Sequence, residues 1–247
     1  MNLSTSTFRK TTGSLFVLGV ILINIPYALL ISTFDYPDIL RQPTGQILTQ
    51  FAAGGTGLIA QWLAFAWLSV PLLVAMWMLP RALAREESLL VNVATQLGVI
   101  AALAQILGLL RWVFVVPILA RWYNDPAASR EAVVVVFQAV HQLGGVLLGE
   151  HIGQLFTIVW MSLISLALLK SDRFGAGLGW FGLAAALVYL TAQTELFATV
   201  IPGFPVVPEA GLIGSLLWLG WMLLLGLALW RPKPFPALTP TLRQTVR

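Results

Sequence analysis

The chain contains no cysteine, which excludes disulfides, thiolate nucleophiles and cysteine-ligated metals. It has only two histidines, His141 and His151, so a two-haem core of four histidines is excluded as well. Charged residues make up 10% of the 247, far below what the surface of a soluble domain carries. Also missing are a Gly-x-Ser-x-Gly nucleophile elbow, a phosphate-binding glycine loop with its Lys-Ser or Lys-Thr, and a nucleotide fingerprint on a strand-turn-helix unit. No motif in the sequence specifies a reaction, and none implies a cofactor.

What fills the space is apolar. Hydrophobic residues are 58% of the chain and gather in runs of about twenty. Bare hydrocarbon offers backbone groups no partner, so only helices or closed barrels span a bilayer, and runs of this length exceed the roughly ten residues of a barrel strand. The fold class expected is therefore all-α: a polytopic integral membrane bundle of about six transmembrane helices, forming a single transmembrane domain over 1–247. The spans read approximately as 13–34, 56–79, 91–120, 146–169, 178–200 and 210–230. The first is expected to be retained rather than cleaved as a signal peptide, because Phe34-Asp35-Tyr36-Pro37 follows it instead of a small-x-small site. Pro26 and Pro71 lie inside spans and each removes a helical hydrogen bond. No internal repeat relates the first three spans to the last three.

Lysine and arginine set the expected orientation. Arg9, Lys10, Arg81, Arg85, Lys170, Arg173, Arg231, Lys233, Arg243 and Arg247 fall on the side of the termini, against Arg41, Arg121 and Arg130 on the other, with Arg111 inside a span. The positive-inside bias puts both termini in the cytoplasm. The same scatter of basic residues to helix ends argues against a nucleic-acid partner despite a pI near 9.9. Three outer connections carry structural signals. Asp125-Pro126 reads as an N-cap with proline at the first helical position, opening an amphipathic helix through Val133, Phe137 and Val140. Pro43 to Phe51 reads as a short helix closed by Gly54-Gly55, and the proline-rich stretch 201–209 as extended.

Three stretches carry a resemblance: Phe34-Asp35-Tyr36-Pro37-Asp38-Ile39-Leu40-Arg41 with Pro43, Leu48, Phe51 and Gly54-Gly55 behind it; Leu110-Arg111-Trp112-Val113-Phe114-Val115-Val116-Pro117; and Gly145-Val146-Leu147-Leu148-Gly149-Glu150-His151-Ile152-Gly153. Together they resemble the bacterial six-span family catalogued as domain of unknown function forty-three eighty-six, over most of the chain. The resemblance implies the fold and a bacterial inner-membrane location, and it brings no activity.

Ionisable groups inside a span cost a few kcal/mol each on insertion scales, so Arg111, Glu150, His151 and Glu195 each ask for a reason. Arg111, Glu150 and Glu195 share the outer half of the membrane, and the planar fork of Arg111 suits a carboxylate. Glu150, Gln154 and Thr157 share one helical face, as do Thr191, Glu195 and Thr199. Gly145, Gly149 and Gly153 form a small-xxx-small track for close helix approach, with His141 continuing it outward. An inverted zinc-protease motif fails on spacing, since Leu147 stands where its first histidine would be, and no metal site is expected. Ser165 and Ser215 lack a base and suit bonds to their own helix. The ten tryptophans, Trp112, Trp122, Trp180 and Trp230 among them, mostly suit interfacial belts.

Arg111, Glu150, His151, Gln154 and Glu195 are thus the candidate ligand-binding residues, in a non-enzymatic protein binding a small polar molecule or lipid head group in an outer-half pocket. An intramembrane enzyme with Glu150 or Glu195 as base and His151 as proton carrier stays open, as do a proton-coupled carrier and a structural or regulatory subunit. Membrane lipids and a small-molecule ligand are the expected partners; the sequence leaves the oligomeric state open.

Overall fold

The structure is a computed structural model that describes residues 5–231. Lys233, Arg243 and Arg247, counted above toward orientation, lie outside the described residues. Every regular element among the described residues is helical, and six stretches are long and apolar enough to cross a membrane.

The first span is the single helix α1 (Thr5–Phe34), which passes through Pro26 unbroken and ends where Asp35 turns into the left-handed region. The second span is α2 (Thr44–Trp67) followed by α3 (Val70–Ala82), and the step between them places Pro71 in the first turn of α3. Proline is tolerated there because the first amides of a helix have no acceptor within it. The third is α4 (Leu89–Phe114) with α5 (Val116–Asn124), and the fourth runs from α6 (Arg130–Val140) through a π-helical stretch (His141–Ile152) into α7 (Gly153–Leu169). The fifth is α8 (Ala176–Thr191) with the short α9 (Gln193–Ala198), and the sixth is α10 (Ala210–Trp230).

Each span packs against its sequence neighbours, and α10 returns to α1, so the six form a closed ring. The closure is tight: a Cβ on Gly13 would lie 2.6 Å from the Gly226 carbonyl oxygen, and Trp230 Nε1 donates to the Lys10 carbonyl and Ser14 Oγ, each at 3.2 Å. That contact marks the terminal end of the bundle. The opposite, distal end carries the connections 35–43, 125–129 and 199–209. Aromatic side chains fill the interior. Trp62 and Trp112 stack at 4.8 Å, Phe34 meets both edge-on, and nearer the terminal end Trp160 sits between Phe16 and Trp221.

Three sequence readings change here. Five of the ten tryptophans, Trp62, Trp112, Trp160, Trp218 and Trp221, are buried in the core; only Trp67, Trp77, Trp122, Trp180 and Trp230 are exposed as an interfacial belt requires. The distal amphipathic helix starts four residues late. Asp125 Oδ1 accepts from the Ala127 amide in a turn, whereas Ser129 Oγ accepts from Ala132 and caps α6. Nor is that helix separate from the fourth span, since the π-helical stretch joins them. Val133 and Phe137 are buried as the pattern anticipates.

The closure expected at Gly54-Gly55 is present. Gly55 has φ 55° and ψ −148°, which breaks α2 into a short distal helix and a membrane-crossing part. Apart from adjacent residues and the helix's own backbone, no atom of the described residues lies within 4 Å of a Cβ placed on Gly55 or on Gly57. Gly55→Ala therefore meets no clash, only backbone strain, and is expected to lower unfolding stability by roughly 1–2 kcal/mol. Gly57→Ala, at a helical position, should hold stability or raise it slightly. Thermal unfolding of both variants in one detergent checks the contrast.

Candidate functional site

At the distal end the connection after α1 folds back over the ring. A 3-10 turn (Asp38–Arg41) buries Ile39 and Leu40, and this anchors Arg41 with its guanidinium pointing toward the fourth and fifth spans. Arg41 Nη2 donates to Glu150 Oε2 at 2.6 Å, and Nε donates to Glu195 Oε1 at 2.8 Å. The three side chains are 29%, 23% and 44% exposed, so the pairs lie at the boundary of the apolar interior. Burial by itself lowers the Arg41 pKa, but the two carboxylates outweigh it and hold the guanidinium above its ordinary value. Burial, and next the charge of Glu150, push the Tyr36 phenol above its ordinary range, so Tyr36 stays neutral beside the cluster.

The carboxylates therefore belong to Arg41, not to Arg111. Among the described residues no carboxylate oxygen lies within 4.0 Å of the Arg111 guanidinium. Arg111 is 9% exposed, donates through Nη1 to the Gly108 carbonyl, and leaves Nε buried without a partner. Gly145 makes room for it, since a Cβ there would stand 2.5 Å from Nη2. The glycine track is real, with a division of labour: Gly145 faces Arg111, Gly149 faces Gly108, and Gly153 faces Gln105. Gln105, Gly108 and Arg111, three residues apart on α4, are the matching face. That spacing was the signal for it in the sequence.

Below Glu150 the polar stripe runs on into the membrane. Gln105 Nε2 donates to the Gly153 carbonyl at 3.2 Å and to Thr157 Oγ1 at 3.0 Å. Gln193, absent from the sequence candidates, joins two that were named: its Nε2 donates to Gln154 Oε1 at 2.5 Å, and its Oε1 accepts from His151 Nδ1 at 2.6 Å. Its place in the polar run Thr191-Ala192-Gln193-Thr194-Glu195 was the available clue. His151 thus pairs with an amide and bears on Phe197, with ring centroids 5.9 Å apart, and forms no dyad with either glutamate. The expected stripe of Thr191, Glu195 and Thr199 is broken by the step between α8 and α9. Thr191 bonds its own helix, and Thr199 Oγ1 accepts from Gln142. The network reaches roughly 10 Å down the fourth span from Glu150 to Thr157. Beyond it lies the packed layer of Trp160, Met161 and Trp221.

A cleft of about 200 Å³ opens beside Arg41, between residues 40–47 and the junction of α6 with the π-helical stretch. Its polar wall is Arg41, Gln42, Thr44, Gln138, His141 and Gln142, over an apolar floor of Leu40, Ile47 and Phe137. His141 stacks on Phe137 at 5.4 Å and meets Trp112 edge-on, while both its ring nitrogens are buried without a hydrogen bond. Glu150 Oε1 is likewise buried and unpaired. Native proteins leave few such atoms; others here lie well away from the cleft, at Arg9, Trp160, Ser165 and Trp218. Arg41 and His141 had entered the sequence reading only as an orientation marker and as the end of a glycine line.

A family model described as Domain of unknown function (DUF4386) matches residues 11–226, the stretch that holds all six spans but for their outermost turns. No curated protein and no solved structure matches the chain.

Proposed function

The chain belongs to this family of unknown function, and from that premise we propose that it is a multi-pass membrane protein that binds a small polar molecule or lipid head group at the distal end of its helical ring. The observation that carries the reading is the cleft beside Arg41, whose polar wall joins Arg41 to His141, a residue with both ring nitrogens buried behind that wall. Its volume is below that of drug-sized pockets and suits a head group or small metabolite. The candidate residues Glu150 and Glu195 position Arg41, while His151, Gln154 and the buried Arg111 form the polar support beneath.

Orientation follows from charge. Among the described residues Arg9, Lys10, Arg81, Arg85, Lys170, Arg173 and Arg231 lie toward the terminal end, against Arg41, Arg121 and Arg130 in the distal connections. The positive-inside bias turns the cleft to the outer face of a bacterial plasma membrane, with both termini cytoplasmic. Two features support binding from one face over alternating access or acid-base catalysis. The polar network ends at Thr157 above a packed aromatic layer, and Arg41, not a histidine, occupies both carboxylates.

Replacing His141 with Phe keeps the ring stacking and removes only the two nitrogens. Native mass spectrometry of the protein in lipid nanodiscs is expected to show a retained molecule that His141→Phe loses, with thermal midpoints within a few degrees of each other. If the wild-type protein retains no molecule and the two proteins differ only in stability, the binding reading fails and the polar cluster is structural.

A further inference from the structure

We infer that the ligand of the distal cleft is a phosphate ester, bound through its anionic phosphate. This deepens the binding role just proposed and rests on it. The lining decides the sign of the charge. Around the cleft Arg41 carries a permanent positive charge, Gln42, Thr44, Gln138 and Gln142 are neutral, and no carboxylate stands in the wall. A cation would meet Arg41 and find no counterion there. Nor does an excess of negative charge oppose an anion: Arg41 and Arg111 match Glu150 and Glu195 one for one. Asp35 and Asp38, on the same connection, are exposed, where solvent and salt screen them.

Arg41 is also prepared for an acceptor. Its Nε and Nη2 are held by the glutamates, and Nη1 makes no hydrogen bond among the described residues. Guanidinium donors form a fixed planar fork, so an acceptor taken at Nη1 releases neither carboxylate, and the two pairs hold the fork in place before it arrives. The start of α2 adds donors of the same polarity. Thr44 stands in the wall, the preceding Pro43 supplies no side-chain cap, and the Thr44 and Gly45 amides have no acceptor among the described residues. Free amides at a helix start favour an anion. On the opposite wall Gln138 and Gln142 carry side-chain amides. Donors on both walls suit the tetrahedral oxygens of a phosphate better than the flat pair of a carboxylate. The apolar floor of Leu40, Ile47 and Phe137 accepts the carbon side of the ester, and a volume of about 200 Å³ limits that side to a short substituent.

Two sources share this chemistry, a phospholipid head group and a soluble phosphate monoester. Calorimetric titration of the full chain in a phosphate-free detergent uses glycerol phosphate, glycerol and ethanolamine as soluble probes. In parallel, native mass spectrometry of the same preparation compares retention of phosphatidylglycerol with diacylglycerol. The phosphate-bearing member of either set is expected to bind about tenfold more tightly than the others, the scale of one well-placed ionic contact, and to lose that advantage as salt rises. Gln138 is exposed on α6, so its substitution tests the sign without disturbing the pairs of Arg41. Gln138→Glu should weaken phosphate binding about tenfold and Gln138→Lys should strengthen it by a similar factor, with thermal midpoints unchanged. Preference for phosphate in the soluble set assigns the site to a free ester, and preference in the lipid set alone assigns it to a head group; both support the inference. Glycerol or ethanolamine binding as tightly as glycerol phosphate, with diacylglycerol retained as well as phosphatidylglycerol, overturns it and leaves the binding role standing. So does an unchanged or inverted order of the two variants at position 138. If no probe binds and nothing is retained, the binding role itself has failed, and this inference with it.

Discussion

Gly108→Val is expected to yield no folded protein. A Cβ on Gly108 would stand 2.7 Å from Gly149 Cα and 3.0 Å from the Gly144 carbonyl oxygen. Both neighbours are backbone, so no rotamer change relieves the collision, and α4 must move away from the fourth span along its whole contact. Even Gly108→Ala is expected to lose about 2–3 kcal/mol, in the upper range for overpacking. Gly144→Ala is the control, because its Cβ would meet only Arg111 Cδ at the ordinary distance of 3.4 Å. Size-exclusion profiles and thermal midpoints of the three variants in one detergent separate them. A monodisperse Gly108→Val protein with a wild-type midpoint would show that α4 and the fourth span do not approach this closely.

Arg41→Ala should be nearly as damaging. It leaves Glu150, whose side chain is 23% exposed, without its salt-bridge partner. Breaking a fully buried pair costs about 3–5 kcal/mol because the abandoned charge stays behind. Glu195 is 44% exposed and its share is screened by solvent, so the expected loss is roughly 2–3 kcal/mol, most of it from Glu150. For a chain of this length that is a fall of about 5–10 °C in Tm. Adding Glu150→Gln to Arg41→Ala should restore most of it, since the stranded charge is then gone. Arg41→Lys should recover only part, because an ammonium has no planar fork to hold two carboxylates in fixed directions. A single Arg41→Ala variant as stable as wild type would mean that the pairs contribute no stability.

The spans were legible because hydrocarbon imposes one rule on every stretch that crosses it, and the runs of apolar residues obey it. The break at Gly55 was legible for a local reason: few residues other than glycine adopt its backbone angles. The start of α6 was not. Asp125 and Ser129 are both good caps, and the choice falls to whichever lets Val133 and Phe137 reach the core, which is a tertiary matter. Arg41 escaped because an arginine in a loop reads as solvated. Only the folding back of the 3-10 turn brings it to carboxylates more than a hundred residues away. His141 and Gln193 escaped likewise, since what singles them out is an absent partner in one case and two partners from another helix in the other. Sequence marked the membrane depth of the site, and side-chain geometry decided its membership.

The closure of the ring between α1 and α10 has a consequence for biogenesis. Of the six spans α10 is the last to leave the ribosome, and until it arrives Gly13, Phe16 and the interior faces of Trp160 and Tyr189 have lipid or a chaperone for a neighbour. The bundle cannot be finished in the order in which it is made. Its first helix must wait in the membrane, unpartnered on one side, for the whole of synthesis, and a ribosome stalled before α10 would leave an open arc in place of a ring.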